Sequence, residues 1–131
     1  MLAVHVIWSY IESVTKKMKK HEKKIEKVLR AALTEVCETA LDDVQGFKWI
    51  THLADHNDFP SSLSVVCVFD TNYDLSSALK ARKDDYLSSL IKEKLSAVDI
   101  HIKAIRPHVT FDTEEACSEE NGGRWHERFS R

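Results

Sequence analysis

Residues 47–71 read FKWITHLADHNDFPSSLSVVCVFDT, and this stretch decides the fold of the chain. Two runs rich in β-branched and aromatic residues, 47–54 and 63–70, flank a polar turn that contains Pro60. This arrangement is typical of a β-hairpin. The second run is apolar at successive positions, so both faces of its strand are apolar, as in strands from the interior of a sheet. We therefore expect 63–70 to be the central strand.

Side-chain alternation predicts which residues share a face of each strand. On the first strand one face holds Phe47, Trp49, Thr51 and Leu53. On the second strand Leu63, Val65, Cys67 and Phe69 share one face, and Val66 and Val68 point to the other. Both strands then need covering elements, which the flanking sequence must supply.

Residues 18–44 predict a long amphipathic helix that covers the hairpin. Apolar side chains recur at steps of three and four, and the other side is charged. The apolar stripe consists of Ile25, Val28, Leu29, Ala32, Leu33, Val36, Cys37, Ala40, Leu41 and Val44. Gly46 follows, as glycine commonly does at the end of a helix.

Downstream of the hairpin the pattern turns helical again. Asp70, Thr71 or Asn72 is a candidate cap for a helix that reaches about residue 98, with a break or kink expected at residues 82–85. The alternation over 100–104 predicts a third strand, and 108–111 predicts a further short strand after Pro107. Asp112 and Glu115 have the spacing of a capping box, which predicts a short C-terminal helix.

Length and composition fit one α+β domain. The chain has 131 residues, 43% of them hydrophobic and 31% charged, which is typical of a globular protein. Three widely spaced cysteines without a CxxC pair favour free thiols in a reducing compartment, so we expect a cytoplasmic protein. The apolar run at residues 1–15 is shorter than the roughly 20 residues that a membrane helix needs.

Residues 1–17 differ in character from the rest. Their apolar side chains have helical spacing, which leaves three alternatives: a docking helix, a partner-binding helix, or an extension of a chain that naturally begins at Met18. We favour the extension, with the α+β domain at 18–131. Whether this segment is native and ordered stays open.

A dense basic run spans residues 16–30. It consists of Lys16, Lys17, Lys19, Lys20, Lys23, Lys24, Lys27 and Arg30. With only Glu22 and Glu26 opposing these eight residues, the local net charge is +6, which leaves −8 for the rest of a chain whose total is −2. Such a segment can bind nucleic-acid phosphates. The alternative is a solvated helix start.

The hairpin loop brings together His52, Asp55, His56 and Asp58, residue types that can ligate zinc or a harder cation. Their spacing matches no known metal motif, and a polar turn explains them as well. We predict no metal, no cofactor and no catalytic residue, because no P-loop, GxSxG, GxGxxG or HExxH occurs. A metal-dependent enzyme is the third alternative for function.

Three aromatic side chains could stack on bases: Trp49, Tyr86 and Trp125. Core packing is the simpler role for the first two. Trp125 lies in a polar tail, RWHERFSR, and is our candidate for a partner contact. A protein-binding adaptor, using the N-terminal apolar segment or the acidic C-terminal helix, is the second functional alternative.

The order helix, strand, strand, helix, strand over residues 20–105 resembles KH-type nucleic-acid-binding domains and ribosome-binding factor A. That resemblance implies nucleic-acid binding without the GxxG loop of KH domains, since no glycine lies between Gly46 and Gly122. The segments ALTEVCETAL, GFKWITH, FPSSLSVVCVFDTN, DDYLSSLIKEKL and HVTFDTEEAC resemble a small bacterial family, over residues 18–129, often labelled "Fis family transcriptional regulator". The label implies a helix-turn-helix, whereas this C-terminus predicts strands and an acidic helix.

The leading expectation is a non-enzymatic domain that binds nucleic acid through its basic first helix.

Overall fold

The computed structural model describes residues 19–130. In this range the chain forms α1 (Lys20–Asp43), β1 (Phe47–Leu53), β2 (Ser64–Phe69), α2 (Asn72–Lys80), α3 (Lys83–Ser96), β3 (Val109–Thr113), α4 (Glu114–Asn121) and α5 (Trp125–Phe129). Short 3-10 turns lie at His56–Asp58 and Arg106–His108. The predicted α+β class is confirmed. No helix within residues 19–130 has the length and apolar character that a membrane crossing requires.

The three strands form a mixed sheet in the order β1-β2-β3. The hairpin strands are antiparallel, with Ile50 opposite Cys67. β3 lies parallel to β2, with Val109 opposite Val65. The prediction that the most apolar strand is central is therefore confirmed.

Both faces of the sheet are covered, but by different elements. α1 packs on one face, where Ile50 and His52 of β1 point. On the other face, the indole of Trp49 meets Trp125 of α5. A sheet covered on both sides requires a central strand that is apolar on both sides, which explains the composition of β2.

The predicted face of Phe47 is wrong. The register of β1 shifts between Phe47 and Trp49, so the two residues do not alternate regularly across Lys48. Phe47 pairs instead with Phe69, and the two rings meet edge to face with centroids 5.9 Å apart. Such a bulge adds one residue to a strand and turns the following side chains to the opposite face.

The apolar stripe of α1 is buried as predicted, apart from its ends. Leu29, Leu33 and Val36 are fully buried, whereas Ile25 and Val28 are half-buried and Leu41 is exposed. Each fully buried aliphatic side chain contributes roughly 1.5–3 kcal/mol. This stripe is the main link between α1 and the rest of the core.

The predicted helix over residues 72–98 is two helices. The chain turns at Arg82, which has a left-handed backbone with φ of 60°. α3 then runs antiparallel to α1, because Tyr86 bonds Asp43 near one end and Lys94 contacts Glu35 further along. The expected break in the apolar pattern is therefore confirmed as a helix–helix turn.

The predicted third strand over 100–104 is wrong. Ile100 and Ile102 are buried, but the segment is an irregular loop that pairs with no strand. Asp99 has φ of 64°, and the Ile100 amide bonds back to the Leu95 carbonyl, which bends the chain at the end of α3. The third strand is the later segment, Val109–Thr113.

Candidate nucleic-acid interface and the buried cluster beside it

Four of the predicted phosphate-binding lysines share one exposed face of α1. Lys20, Lys23, Lys24 and Lys27 fall within about 100° of the helix circumference at 3.6 residues per turn. The buried stripe lies on the opposite side of the helix. We call these four residues the lysine face. Lys16 and Lys17 lie outside the described residues, and Lys19 immediately precedes the helix.

The charges of α1 oppose its macrodipole. Lysines crowd the first two turns, where the helix end is positive, and the last turn holds Asp42 and Asp43 but no basic residue. Cations at a helix N-terminus and anions at a C-terminus are each unfavourable by roughly 0.3–1 kcal/mol. Glu22 offsets part of this by accepting the Lys19 amide at 3.0 Å. The lysines of the first turn therefore gain no stabilisation from the helix dipole.

Arg30, the last residue of the predicted basic set, lies in a different environment. It is half-buried, with its Nε out of contact with solvent. Its carbonyl accepts the Thr34 hydroxyl at 2.7 Å. The structure thus places Arg30 at the edge of the lysine face rather than within it.

Beside the lysine face, α1 sends one acidic side chain into the core. Glu26 is only 3% exposed and reaches two histidines of the hairpin. His52 Nε2 lies 2.5 Å from Glu26 Oε2, and His56 Nε2 lies 3.0 Å from Glu26 Oε1. Each carboxylate oxygen therefore serves a different imidazole.

The protonation state of this cluster follows from its geometry. Burial raises the pKa of the Glu26 carboxyl, but hydrogen bonds and charge from His52 and His56 outweigh it, and the pKa lies below its ordinary value. An ionised carboxylate only accepts, so both imidazoles donate their Nε2–H. The Nδ1 atom of His56 is buried, and residues 19–130 provide it with no hydrogen-bond partner.

The four loop residues that could have ligated a metal separate in the structure. His52 and His56 turn inward to Glu26, while Asp55 and Asp58 are exposed. Asp55 accepts the Asn57 amide at 2.9 Å and so caps the 3-10 turn, as the polar-turn alternative predicts. Within residues 19–130 no three His, Cys, Asp or Glu side chains are arranged to hold a metal ion.

Sequence reasoning missed the role of Glu26, although a signal was present. Glu26 lies three residues before Leu29 and seven before Leu33, in register with the buried stripe. A carboxylate at a core position needs a partner, and His52 is the inward-facing polar residue of the adjacent strand. The spacing could therefore have identified Glu26 as a buried carboxylate in need of a partner, although not which residue supplies it.

Trp125, the predicted partner contact, is used by the fold. Its ring meets Trp49 edge to face at a centroid distance of 4.7 Å and lies 5.4 Å from Phe129. Glu114 accepts both indole N–H groups, at 2.5 Å from Trp49 and 3.4 Å from Trp125. The Trp125 ring is only half-buried, so part of it stays accessible while it packs against Trp49.

The two Phe-Asp-Thr sequences end neighbouring parallel strands, and threonine caps the following helix in each case. Thr71 Oγ1 accepts the Asp74 amide at 3.0 Å, and Thr113 Oγ1 accepts the Ala116 amide at 2.9 Å. The predicted Asp112 cap is therefore wrong. Asp112 pairs with Arg128 instead, at 2.6 Å.

A groove of about 460 Å3 lies at the other end of α1 from the lysine face. Asp43, Asp74 and Lys83 line it, and Tyr73 stands at its wall with 78% of its surface exposed. Tyr73 is the most exposed large hydrophobic side chain among residues 19–130.

Comparison of this chain with protein-family models, with curated proteins and with solved structures finds no match.

Proposed function

We propose that this protein binds nucleic acid weakly, through contacts between the lysine face and backbone phosphates. The observation that carries the proposal is the exposed set of Lys20, Lys23, Lys24 and Lys27 on one side of a helix whose dipole they oppose. Phosphates at this face would offset the unfavourable charge arrangement. The remaining acidic surface repels the backbone and confines the contact to this helix.

The element order supports the same proposal. α1-β1-β2-α2-α3-β3 contains the order on which the resemblance to KH-type domains rests. The turn between α2 and α3, Ala81-Arg82, holds no glycine that could approach a backbone closely. The proposal therefore places the contact on α1 and expects little sequence preference, because phosphates carry no base information.

The test is a salt-titrated binding assay with duplex DNA and RNA. Affinity for duplex DNA falls with salt by about 0.9 log units per log unit of salt for each phosphate contacted. Three or four engaged lysines give a slope of about −3 to −4. The variant Lys20→Glu/Lys23→Glu/Lys24→Glu should lose binding and stay folded, because these side chains lie off the buried stripe.

The matched control is Lys48→Glu/Lys80→Glu/Lys103→Glu. It changes the net charge by the same amount at exposed lysines on other elements. We expect it to retain most of the affinity and the full salt slope. Equal losses in both variants would show that net charge, rather than the lysine face, governs binding. Wild-type protein that binds no nucleic acid at about 50 mM salt would overturn the proposal.

A protein-binding adaptor is the second candidate, supported by Tyr73. An exposed tyrosine beside a groove is the kind of side chain that forms the centre of a protein interface. This candidate predicts that Tyr73→Ala removes a protein partner from pull-downs while the lysine variants keep it. Its ligand would be a protein segment with basic side chains to face Asp43 and Asp74.

A further inference from the structure

Much of α1 extends beyond the helix that packs beside it. At 1.5 Å per residue α1 is about 36 Å long, whereas α3 is about 21 Å long. Because Lys94 of α3 lies opposite Glu35, α3 ends near the middle of α1. The half of α1 that carries the lysine face therefore lacks the support of α3.

Apolar contacts hold this half of α1 less firmly than they hold the other half. In this half Ile25 and Val28 are only half-buried and Leu29 is fully buried, whereas the other half buries both Leu33 and Val36 completely. A polar link from this half to the sheet is the cluster of Glu26, His52 and His56. Its side chains are nine-tenths buried or more, with exposures of 4%, 1% and 7%.

The cluster fixes both the position and the rotation of the helix. One oxygen of Glu26 is held by strand β1 through His52, and the other by the hairpin loop through His56. Two directional hydrogen bonds to one side chain fix the rotation of α1 about its own axis, which non-directional apolar contacts do not. Fixing Glu26 inward turns the lysine face outward, because the two sets lie on different sides of the helix.

We propose that Glu26, His52 and His56 form a clamp that orders the lysine-bearing half of α1 and thereby sets affinity for nucleic acid. The effect on affinity rests on the proposed function, whereas the ordering of α1 does not. The three residues are positioning residues, because they are buried and touch no ligand. An unclamped helix has to be ordered when it binds, and that ordering lowers the affinity.

The free protein tests the first half of the proposal. His56→Ala removes one donor and leaves a carboxylate oxygen buried without its partner. The matched variant His56→Gln keeps an N–H donor at the same position. By hydrogen exchange, amides of residues 23–30 should exchange about tenfold faster in His56→Ala, whereas those of 36–40 should not change. His56→Gln should restore much of the protection.

Duplex binding tests the second half. We expect His56→Ala to weaken binding about fivefold or more and to lower the magnitude of the salt slope by about one, because fewer lysines engage together. His56→Gln should bind nearly as wild type. A general loss of stability would not change the slope at a temperature where the variant is folded. Unchanged affinity and slope in His56→Ala would overturn the positioning role.

The two proposals can fail separately. Wild-type protein that binds no duplex removes the proposed function, while hydrogen exchange still reports whether the clamp orders α1. If His56→Ala does not fold, amide hydrogen exchange in the wild-type protein tests whether the clamp orders α1. Exchange at residues 23–30 more than about tenfold faster than at 36–40 would disprove a clamp, and protection within about tenfold of that at 36–40 would support it.

Discussion

A Cβ atom added at Gly46 would lie 2.5 Å from the Cβ of Asp74, closer than two non-bonded carbon atoms can approach. Gly46 joins α1 to β1 with φ of 83°, a conformation that side chains rarely adopt. The Asp70 amide also donates a hydrogen bond to the Gly46 carbonyl at 2.9 Å. This bond joins the turn to the residue that follows the C-terminal end of β2. The start of α2 therefore packs directly on the α1–β1 turn.

We expect Gly46→Ala to destabilise the protein more than Gly123→Ala. Gly123 has a similar φ of 80° but open space around its Cβ position, so it reports the backbone strain alone. That strain costs about 1–2 kcal/mol, and the clash with Asp74 adds to it. Chemical denaturation of both variants measures the difference. Equal losses would show that α2 shifts away without cost.

The Glu26 carboxyl makes stability depend on acid. Its pKa in the folded state lies below the ordinary value of 4.5, so its contribution is fully present above that pH. The contribution is lost as pH falls through the folded-state pKa. We expect the free energy of unfolding to decline below about pH 4.5. Glu26→Gln should be less stable at pH 7 but show a flatter decline in that acid range. If the free energy of unfolding of Glu26→Gln declined with acid as steeply as that of the wild type, other carboxyl groups would be its cause.

Val66→Asp should prevent folding. Val66 is 6% exposed on the face of the sheet that α5 covers, and placing a carboxylate in the core costs several kcal/mol. Lys48→Asp, at the exposed bulge of β1, should leave the fold intact. Circular dichroism and proton spectra of the two variants test this. A folded Val66→Asp protein would show that the C-terminal helices do not seal this face.

The three cysteine thiols should react slowly in the folded protein. Cys37, Cys67 and Cys117 are 2% exposed or less, and burial raises the pKa of each thiol, which lowers the fraction of reactive thiolate. Titration with a thiol reagent at pH 8 should label all three only after unfolding. Rapid labelling of one thiol in the native protein would locate a segment that opens.

Arg128 should hold the C-terminal helices on the sheet. Its guanidinium binds both oxygens of Asp112, at 2.6 and 3.0 Å, and Asn121 Oδ1 at 2.9 Å. Lysine cannot reproduce this geometry. Arg128→Lys should cost about 1.5–3 kcal/mol and shift tryptophan emission to the red as Trp125 leaves Trp49. Arg124→Lys, at an exposed pair with Glu127, should change neither stability nor emission.

The hairpin, α1 and the central strand could be predicted because their signals are local. Apolar spacing over 18–44 and the apolar run of β2 are contained in continuous segments. The face of Phe47 could not be predicted in this way, because a bulge at Lys48 depends on how β1 pairs with β2. The strand predicted at 100–104 is wrong for a similar reason: its apolar residues do alternate, but the bend at Asp99 leaves the segment unpaired with any strand of the described sheet.

The candidate site was predicted in part. The lysines are recognisable from sequence density, and four of them do share an exposed face. The Glu26 cluster joins residues 26 and 30 positions apart, so its partners become neighbours only after α1 packs on β1. The polar segment around Trp125 predicts a partner contact, and the packing of its ring against Trp49 could not be predicted because the two residues are distant in the sequence.

The mixed sheet has a consequence for the order in which the chain can fold. β2 meets its antiparallel partner across a short loop, but its parallel partner β3 follows only after α2 and α3. The longer loop costs more entropy to close, so the hairpin precedes the docking of β3. During synthesis one edge of β2 therefore stays unpaired until β3, which ends at Thr113, has left the ribosome. Unpaired strand edges of this kind can pair with other chains and cause aggregation.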